Sequence, residues 1–412
     1  MNPYLVIILA ILIGEYVLRV TVEMLNISSV GFSLPAEFEG YYNPEDYSRS
    51  QKYLKENTYF SLIQKTVFTT VVIIFILSGG FNLVDRISRD LSSNIEFSGL
   101  IFAGIIVFGL QIIEIPFSIY QTFVIEEKYG FNKTTVKTFI TDLIKNWILL
   151  VIIAGPAFYL IVRLFVEFSD QGAWLWCWLA TVLLSTFFIF IAPVLILPLF
   201  NKFTPLEDGE LKKAVSDYAN SQKFKIKGIF KIDGSRRSSK SNAFFTGLGK
   251  SRRIALFDTL IQKHTTEEIV SVLAHEVGHY KKKHIIKRLL LSALTKGLMF
   301  YLLSFFIKNP GLFNAFRMDE ISVYAGLIFF SFLYTPISFI FSIFGNLLSR
   351  KHEYEADRYA VRTYQNPEAF ISALKKLTVN NLSNLSPHRL KVFLDYSHPP
   401  VLKRVEAIRK MP

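Results

Sequence analysis

The segment SVLAHEVGHYKKKH, residues 271–284, places His275 and His279 four residues apart, with Glu276 directly after the first histidine. In an α-helix this spacing puts both imidazoles on one face, one turn apart, where they can bind the same metal ion. Glu276 lies about 100° further round the helix, so it can contact a water molecule at the ion rather than the ion itself. Peptide hydrolysis at a metal needs this combination of protein ligands, an open coordination position and a carboxylate base. The alternative is a surface helix whose two histidines bind nothing.

A second segment, LLSRKHEYEADRYAVRTY, offers a third ligand. Glu353 and Asp357 are four residues apart in it, so they share a face if the segment is helical. Glu353 would complete a site of two histidines and one glutamate, and Asp357 could hydrogen-bond a ligand imidazole and fix its tautomer. We expect Glu355 to point to another face and into solvent, and His352 to face away from the metal. The simpler alternative is that these acids only solvate an exposed helix.

The helix that carries the two histidines should begin at Thr265. Thr265 and Glu268 have the spacing of a capping box, in which each side chain bonds the backbone of the other residue. Gly278 leaves room for another backbone or a substrate to approach the helix closely. The three lysines at 281–283 hold the end of this helix at the aqueous surface, which argues against a metal site deep in lipid.

The composition is that of a membrane protein with several spans. Of the 412 residues, 51% are hydrophobic and only 19% are charged, and the mean hydropathy is +0.34. The net charge of +13 does not indicate nucleic-acid binding, because the basic residues lie between the apolar runs, as they do in cytoplasmic loops. The single cysteine, Cys177, lies in an apolar run, which excludes an internal disulfide and a thiolate metal site. The N-terminal MNPYLVIILAILIGEYVL lacks a basic region and a cleavage site, so we expect a retained span rather than a signal peptide.

Seven runs are long and apolar enough to cross a bilayer core, which needs about 20 residues in a helix. We expect these spans at 3–25, 60–82, 100–125, 146–168, 173–200, 285–308 and 321–347. Pro193 and Pro198 should kink or end the fifth span. Segment 201–284 contains seventeen Lys and Arg residues, whereas the 169–172 connection contains none. The positive-inside rule therefore predicts an N-terminus outside or in a lumen, with the metal site and the C-terminal tail in the cytoplasm.

The chain is expected to be mainly α-helical and to consist of four consecutive parts. These are five spans in 1–200, a cytoplasmic α+β segment with a β-hairpin and the histidine helix in 201–284, two spans in 285–349, and a cytoplasmic helical tail with the third ligand in 350–412.

Several ionisable residues fall inside the expected spans: Glu15, Arg19, Glu114, Arg163 and Lys296. Glu15 and Arg19 are four residues apart, so a simple intrahelical ion pair would account for them. The alternative is that these groups face a water-filled cavity inside the bundle. The sequence leaves both interpretations open.

Several motifs occur in the order seen in one known family. They are FVIEEKYGFNKTT (123–135), DGSRRSSKSNAFFTG (233–247), HEVGH (275–279), SRKHEYEADRYA (349–360), and YSHPP with KRVEAI (396–408). With these motifs the chain resembles, over nearly its whole length, the CAAX prenyl protease 1 family of integral-membrane zinc endopeptidases.

The resemblance implies seven helices around a large intramembrane chamber, with a gluzincin-like metalloprotease domain and one Zn²⁺ per chain at its cytoplasmic end. It implies cleavage of the C-terminal tripeptide from prenylated CAAX proteins, so the expected partners are peptide or protein substrates and the lipid bilayer. The expected location is the endoplasmic reticulum membrane in a eukaryote, or the inner membrane in a bacterium.

Carried over by motif, the zinc ligands are His275, His279 and Glu353, and the catalytic base is Glu276. The resemblance also implies a role for the hairpin around SNAFFTG in substrate binding. An edge strand there could pair with an extended peptide and lay its scissile bond beside the zinc.

Three further residues match positions near the substrate in the family. Asn242 and His398 match positions that hold the substrate backbone or stabilise the oxyanion, and Arg404 matches a supporting arginine. Glu355 stands where the family often has glutamine. The remaining histidines outside these motifs match nothing and are expected at the surface: His264, His284 and His388.

Two other functions stay open at this point. The same chemistry could act on misfolded membrane proteins, as in quality-control proteases. A non-catalytic chamber could instead bind lipid or a translocating chain around a structural zinc, although the intact Glu276 argues against it.

Overall fold

The structure, a computed structural model, describes residues 2–31, 33–168, 172–241, 243–246 and 253–411. Within these residues, seven helical segments are long and apolar enough to cross a membrane, which confirms the expected number. They are Pro3–Ser28, Pro44–Leu77, Ile95–Glu126, Val136–Glu167, Ala173–Phe200, His284–Phe306 and Val323–Tyr364. Between 0 and 11% of the residues in their most apolar windows are buried inside the protein. Helices so lightly buried expose most of their apolar residues on the outside of the protein, as expected for segments that face lipid.

The membrane-spanning N-terminal half is built from eight described α-helices. They are α1 (Pro3–Ser28), α2 (Pro44–Leu77), α3 (Gly80–Leu91), α4 (Ile95–Tyr120), α5 (Val136–Leu149), α6 (Gly155–Glu167), α7 (Ala173–Ile191) and α8 (Leu197–Phe200). Turns of π-helix at Gln121–Glu126, Leu150–Ala154 and Ala192–Ile196 continue or join them. The last turn contains Pro193 and is followed by Pro198, so the prolines interrupt the fifth span as predicted, because proline cannot donate the helical hydrogen bond.

Helix α2 begins well before the span predicted at 60–82. Its side-chain cap, Asn43, accepts a hydrogen bond from the Asp46 amide at 2.7 Å, and its 34 residues measure about 50 Å at 1.5 Å per residue. A bilayer core is about 30 Å thick, so the polar first third of α2 projects beyond it. The connection between the spans predicted at 60–82 and 100–125 is itself partly helical, since α3 occupies Gly80–Leu91.

The C-terminal half contains nine described α-helices. They are α9 (Glu210–Ser221), α10 (Asp258–Lys263), α11 (Thr266–Lys281), α12 (His284–Phe306), α13 (Pro310–Ala315), α14 (Val323–Tyr364), α15 (Pro367–Asn380), α16 (Arg389–Asp395) and α17 (Val401–Arg409). Helix α14 has 42 residues and is about 60 Å long, roughly twice the thickness of a bilayer core. It therefore continues out of the seventh span without a break and carries Glu353 and Asp357.

A four-stranded sheet of the described residues lies beside the histidine helix, with strand order β1-β2-β4-β3. The strands are β1 (Phe203–Pro205), β2 (Gly228–Ile232), β3 (Ala243–Thr246) and β4 (Arg253–Phe257). β2 and β4 are parallel, whereas β1 and β3 pair antiparallel to their neighbours. Among the described residues β3 therefore forms an edge of the sheet, as expected for the SNAFFTG segment.

The ionisable residues within the spans use both of the arrangements that the sequence left open. Arg19 lies 4.0 Å from Glu15 but makes a shorter contact, 2.5 Å, with Asp395 of α16. Glu114 lines a cavity of about 370 Å³ together with polar residues such as Gln111 and Asn146. Lys296 donates to the Ser185 hydroxyl at 2.5 Å in the cavity described below. Tertiary contacts and cavities thus account for Arg19, Glu114 and Lys296, whereas Arg163 pairs within its own helix with Glu167 at 2.9 Å as well as with Glu96 at 3.0 Å.

The two largest apolar cores of the described residues lie at the two ends of α14. One packs the sheet against α11, α14 and α15 through residues such as Leu256, Leu273 and Phe370. The other lies at the opposite end of α14 and includes a cluster of three phenylalanines, Phe81, Phe316 and Phe329. The Phe316 and Phe329 rings stack at 3.8 Å and 5°, and we refer to these three residues as the far-end aromatic cluster.

Candidate metal centre

Helix α11 begins where the capping-box pattern predicts. The Thr265 amide donates to Glu268 Oε2 at 3.0 Å, and the Glu268 amide donates to Thr265 Oγ1 at 3.3 Å. Glu268 also forms a 2.8 Å ion pair with Lys376 of α15. The start of the histidine helix is therefore tied both to its own backbone and to a neighbouring helix.

Close contact between α11 and α14 places the two ligand-bearing helices side by side. A Cβ atom added to Gly278 would lie 3.1 Å from the Ala356 Cα and carbonyl oxygen, and 3.0 Å from the Tyr359 Cβ. Because those neighbours include backbone atoms, they cannot move aside independently. Glycine at 278 thus permits the approach of another backbone, which confirms the sequence expectation.

The three expected metal ligands converge on one point. His275, His279 and Glu353 each offer a ligand atom, and these atoms all lie within 4.8 Å of one another. The two Nε2 atoms are 3.1 Å apart, and they lie 3.4 and 3.2 Å from the Glu353 carboxylate oxygens. All three side chains are mostly buried, so their convergence is not a surface coincidence.

The polar atoms of this cluster fit a cation better than they fit one another. Glu353 Oε2 is buried and accepts no hydrogen bond from any described residue. A buried carboxylate oxygen without a donor costs free energy, and a cation between the oxygen and the two nitrogens would satisfy all three. Two imidazole nitrogens and one carboxylate oxygen also form a common donor set for a catalytic divalent metal.

Asp357 orients the first histidine. His275 Nδ1 lies 2.8 Å from Asp357 Oδ1, so a proton on Nδ1 points to the carboxylate and Nε2 is the nitrogen that faces the ligand cluster. Burial lowers the pKa of His275, but the neighbouring carboxylates of Asp357 and Glu353 outweigh it and raise that pKa to about 9. A metal ion that bound at Nε2 would therefore displace a proton.

Arg404 is buried beneath this pair. Its guanidinium donates to both Asp357 oxygens, at 2.9 and 2.6 Å, and lies 3.6 Å from Glu353. The guanidinium of Arg404 thus contacts two buried carboxylates, those of Asp357 and Glu353.

The other residues carried over by motif have different positions. His398 lies in the loop before α17 with its side chain 65% exposed, and its Nε2 is 3.5 Å from Glu353 Oε1. Ser397 Oγ contacts the other ring nitrogen at 3.0 Å. Asn242 lies outside the described residues, next to the first residue of β3.

His284 and Glu355 were expected in solvent but lie directly behind the site, and this corrects the sequence analysis. His284 is fully buried rather than at the surface, and its Nδ1 lies 3.0 Å from His279 Nδ1. Its Nε2 lies 3.0 Å from Glu355 Oε2, so Glu355 pairs with a histidine instead of only with solvent. His352 is also buried and stacks on His284 at 3.9 Å and 10°.

Of the two other histidines expected at the surface, neither is fully exposed. His264 is buried, with Nδ1 3.2 Å from the Leu260 carbonyl oxygen. His388 is half-buried and caps α16, where its Nδ1 accepts from the Leu390 amide at 3.2 Å. Each of these two histidines thus makes a hydrogen-bonding contact that accounts for its position in the fold.

A cavity of about 610 Å³ opens beside the ligand cluster. Glu276, His279, Glu353 and His398 line one part of it. The walls also include residues of α7 and α12, which belong to membrane spans: Ser185, Ile189, Ile285, Arg288, Leu289, Ser292 and Lys296. Glu276 thus lies next to the ligand cluster, on the side from which a substrate can approach.

A buried ligand cluster, a carboxylate beside it and a cavity between membrane helices together define a multi-pass membrane metallopeptidase. Comparisons with known proteins give the same class and name the family.

The chain belongs to peptidase family M48. Residues 205–412 match that family, and residues 24–202 match the domain described as "CAAX prenyl protease N-terminal, five membrane helices". CAAX prenyl protease 1 of Saccharomyces cerevisiae is 35% identical over 91% of this chain and 88% of its own length. The Arabidopsis thaliana homologue is 34% identical over 98% and 97%. The crystal structure of S. mikatae Ste24p matches with a TM-score of 0.94 and 34% identity, over 99% of both chains.

Proposed function

We propose that this protein is a zinc endopeptidase that removes the C-terminal tripeptide from prenylated CAAX proteins. The observation that carries the proposal is the convergence of His275, His279 and Glu353 on one point, beside Glu276 and at the wall of a cavity between membrane helices. The names of the relatives, CAAX prenyl protease 1 and its homologues, support the substrate class.

His275 Nε2, His279 Nε2 and an oxygen of Glu353 would hold one zinc ion per chain. Three ligands of this kind leave a coordination position open, which distinguishes catalytic from structural zinc sites. Bound zinc would polarise the scissile carbonyl and lower the pKa of a water molecule.

Glu276 would accept a proton from the attacking water and deliver it to the departing amine. It is suited to this because it lines the cavity next to the ligand cluster and is not part of that cluster. His398, with an exposed side chain close to Glu353, can donate a hydrogen bond to the peptide oxygen that becomes negative.

Arg404 and Asn242 would act in different ways. Arg404 is buried, bonded to Asp357 and 3.6 Å from Glu353, so it would position these two carboxylates rather than contact substrate. Asn242 precedes the edge strand β3, and we propose on the family resemblance that it holds the substrate backbone. An extended peptide would add to the open edge of β3 by backbone hydrogen bonds.

The cavity suits a peptide that ends in a free carboxylate and carries an apolar group. Lys296 contacts the Ser185 hydroxyl, and neither Lys296 nor Arg288 forms an ion pair with a described residue. Cations inside a membrane protein without acidic partners usually mark a substrate pathway. We propose that they bind the C-terminal carboxylate, while Ile189, Ile285 and Leu289 contact the isoprenyl chain.

The site would face the cytoplasm, with the N-terminus outside or in a lumen. The lysines at 281–283 are exposed at the end of α11, next to the first turn of the sixth span, as expected for a cytoplasmic boundary. The membrane would be that of the endoplasmic reticulum in a eukaryote, or the inner membrane in a bacterium.

Cleavage of matched substrates by purified full-length protein tests this function. We expect a farnesylated CAAX peptide to lose its tripeptide, while the same peptide without the farnesyl group reacts at least tenfold more slowly in kcat/KM. A misfolded membrane protein serves as a third substrate. Faster cleavage of that protein than of the farnesylated peptide would replace our proposal with a quality-control function, and no hydrolysis of any substrate by zinc-loaded protein would contradict the enzymatic proposal.

A further inference from the structure

We propose that His284 and Glu355 position the metal ligand His279 by fixing which of its ring nitrogens carries the proton. The two residues form a chain of hydrogen bonds behind the ligand, from His279 Nδ1 to His284 Nδ1 at 3.0 Å and from His284 Nε2 to Glu355 Oε2 at 3.0 Å. The inference rests on the ligands proposed above but not on the choice of substrate.

The two hydrogen bonds can have only one donor-to-acceptor direction, from His279 through His284 to Glu355. An ionised carboxylate accepts hydrogen bonds and cannot donate them, so the hydrogen between Glu355 and His284 must be on His284 Nε2. A neutral imidazole carries one hydrogen, and His284 Nδ1 is then an acceptor. His279 must supply the hydrogen between the two Nδ1 atoms, which leaves its Nε2 with a free lone pair.

That lone pair points at the other two ligands. His279 Nε2 lies 3.2 Å from Glu353 and 3.1 Å from His275 Nε2. If the chain ran in the opposite direction, His279 would carry its proton on Nε2 and could not bind a metal there. Glu355 therefore acts on the metal centre through two imidazole rings.

The surroundings of His284 favour a single ring orientation and a neutral ring. His284 is fully buried, and burial disfavours a charged imidazole. The parallel His352 ring at 3.9 Å covers one face of His284. The ring thus has little room to rotate away from either hydrogen-bond partner.

The two histidine ligands are supported in different ways. His275 contacts the carboxylate of Asp357 directly at 2.8 Å, whereas His279 reaches Glu355 only through His284. Partners of this kind orient ligand histidines, and their substitution typically costs about 10- to 100-fold in metal affinity. A loss of that size is expected from breaking the chain at His284.

Zinc affinity of the metal-stripped, full-length protein, measured by competition with a chromophoric chelator, tests the proposal. His284→Leu removes the acceptor and should weaken zinc binding about 10- to 100-fold. His284→Asn keeps an amide oxygen at the position of Nδ1, so it should recover most of that loss. The zinc affinity of Glu355→Gln should lie between those of His284→Leu and His284→Asn. An amide can donate or accept, so it no longer forces His284 Nε2 to be the donor.

Two further measurements separate positioning from a general structural effect. His388→Asn, which changes a histidine that caps α16, is the matched control and should bind zinc like the wild type. The metal-free melting temperatures of wild type, His284→Asn and Glu355→Gln should agree. The spectrum of the cobalt-substituted protein should shift in Glu355→Gln and remain unchanged in the control.

The proposal is wrong if His284→Leu and Glu355→Gln bind zinc as tightly as the wild type. It is also wrong if His284→Asn loses as much affinity as His284→Leu while its metal-free form remains folded. Should His284→Leu fail to fold, the His284→Asn and Glu355→Gln pair still decides the question, since an unshifted affinity and cobalt spectrum in Glu355→Gln would contradict it. Wild-type protein that binds zinc but spares prenylated peptides would contradict the proposed substrate and leave this inference intact.

Discussion

The two ends of α14 are stabilised by opposite kinds of chemistry. Near one end the far-end aromatic cluster packs Phe329 against Phe81 and Phe316, with ring centroids 5.3 and 3.8 Å away. Near the other, Glu353 and Asp357 are buried against Arg404 and two histidines. Apolar packing is non-directional and tolerates replacement of one large apolar side chain by another. A buried charge is tolerated only while its partner remains, so the metal end should respond far more sharply to substitution.

The largest effect on turnover is expected from substitution of Glu276, the proposed base for the attacking water. Glu276→Gln should lower kcat by about 10²- to 10⁴-fold, because an amide cannot accept the proton. Zinc content should remain that of the wild type, since Glu276 is not among the three ligands. Activity on the farnesylated peptide and metal analysis of the same sample check this prediction. An unchanged kcat in Glu276→Gln would show that Glu276 is not the base.

Removal of the buried arginine should destabilise the metal end. Arg404→Met leaves Asp357 buried without its strongest partner, and loss of one member of a buried ion pair costs about 3–5 kcal/mol. We expect a marked fall in the melting temperature together with weaker zinc binding. The double variant Arg404→Met/Asp357→Leu should regain part of the stability but not the zinc affinity, because His275 then lacks its carboxylate partner.

A substitution at the aromatic end should be milder and should leave the metal site unaffected. Phe316→Leu keeps an apolar side chain but loses the stacking on Phe329, so we expect a loss of about 1–2 kcal/mol. The melting temperature should fall while zinc affinity and kcat stay at wild-type values. Loss of zinc binding in this variant would show that the two ends of α14 are not independent.

The smallest effect is expected in substrate binding. Lys296→Met removes a cation from the cavity wall, so KM for a farnesylated peptide with a free carboxylate should rise about three- to tenfold, or about 1 kcal/mol. A matched peptide with a C-terminal amide should have the same KM in wild type and variant. Equal effects on both peptides would show that Lys296 does not bind the carboxylate.

The elements that carry strong local signals were predictable from sequence. Continuous apolar runs gave the number of spans, and the Thr265–Glu268 capping box gave the start of α11. The convergence of His275 and His279 follows from helical spacing, and Glu353 was recognisable from its four-residue spacing to Asp357. Each of these depends on one segment at a time.

The environment of His284 was not predictable in this way. It ends a run of three lysines, which indicates an exposed segment. Lys283, however, has a left-handed backbone (φ 56°), so the chain turns between α11 and α12 and brings His284 back beneath His279. Glu355 meets it from α14, which is remote in sequence. A glutamate where the family often has glutamine was the one available signal.

The unbroken course of α14 also couples the metal site to the bilayer. From mid-span Pro336 to Glu353 there are 17 residues, about 25 Å of rigid rod, so a 5° change in tilt would swing the carboxylate by roughly 2 Å. Gly278 lets α11 lie directly on this rod, and His275 and His279 would swing with it. A thinner or thicker membrane would thus move His275, His279 and Glu353 together relative to the α7 and α12 residues of the cavity wall. The distances among these three side chains would stay the same, while their position relative to a bound substrate would change.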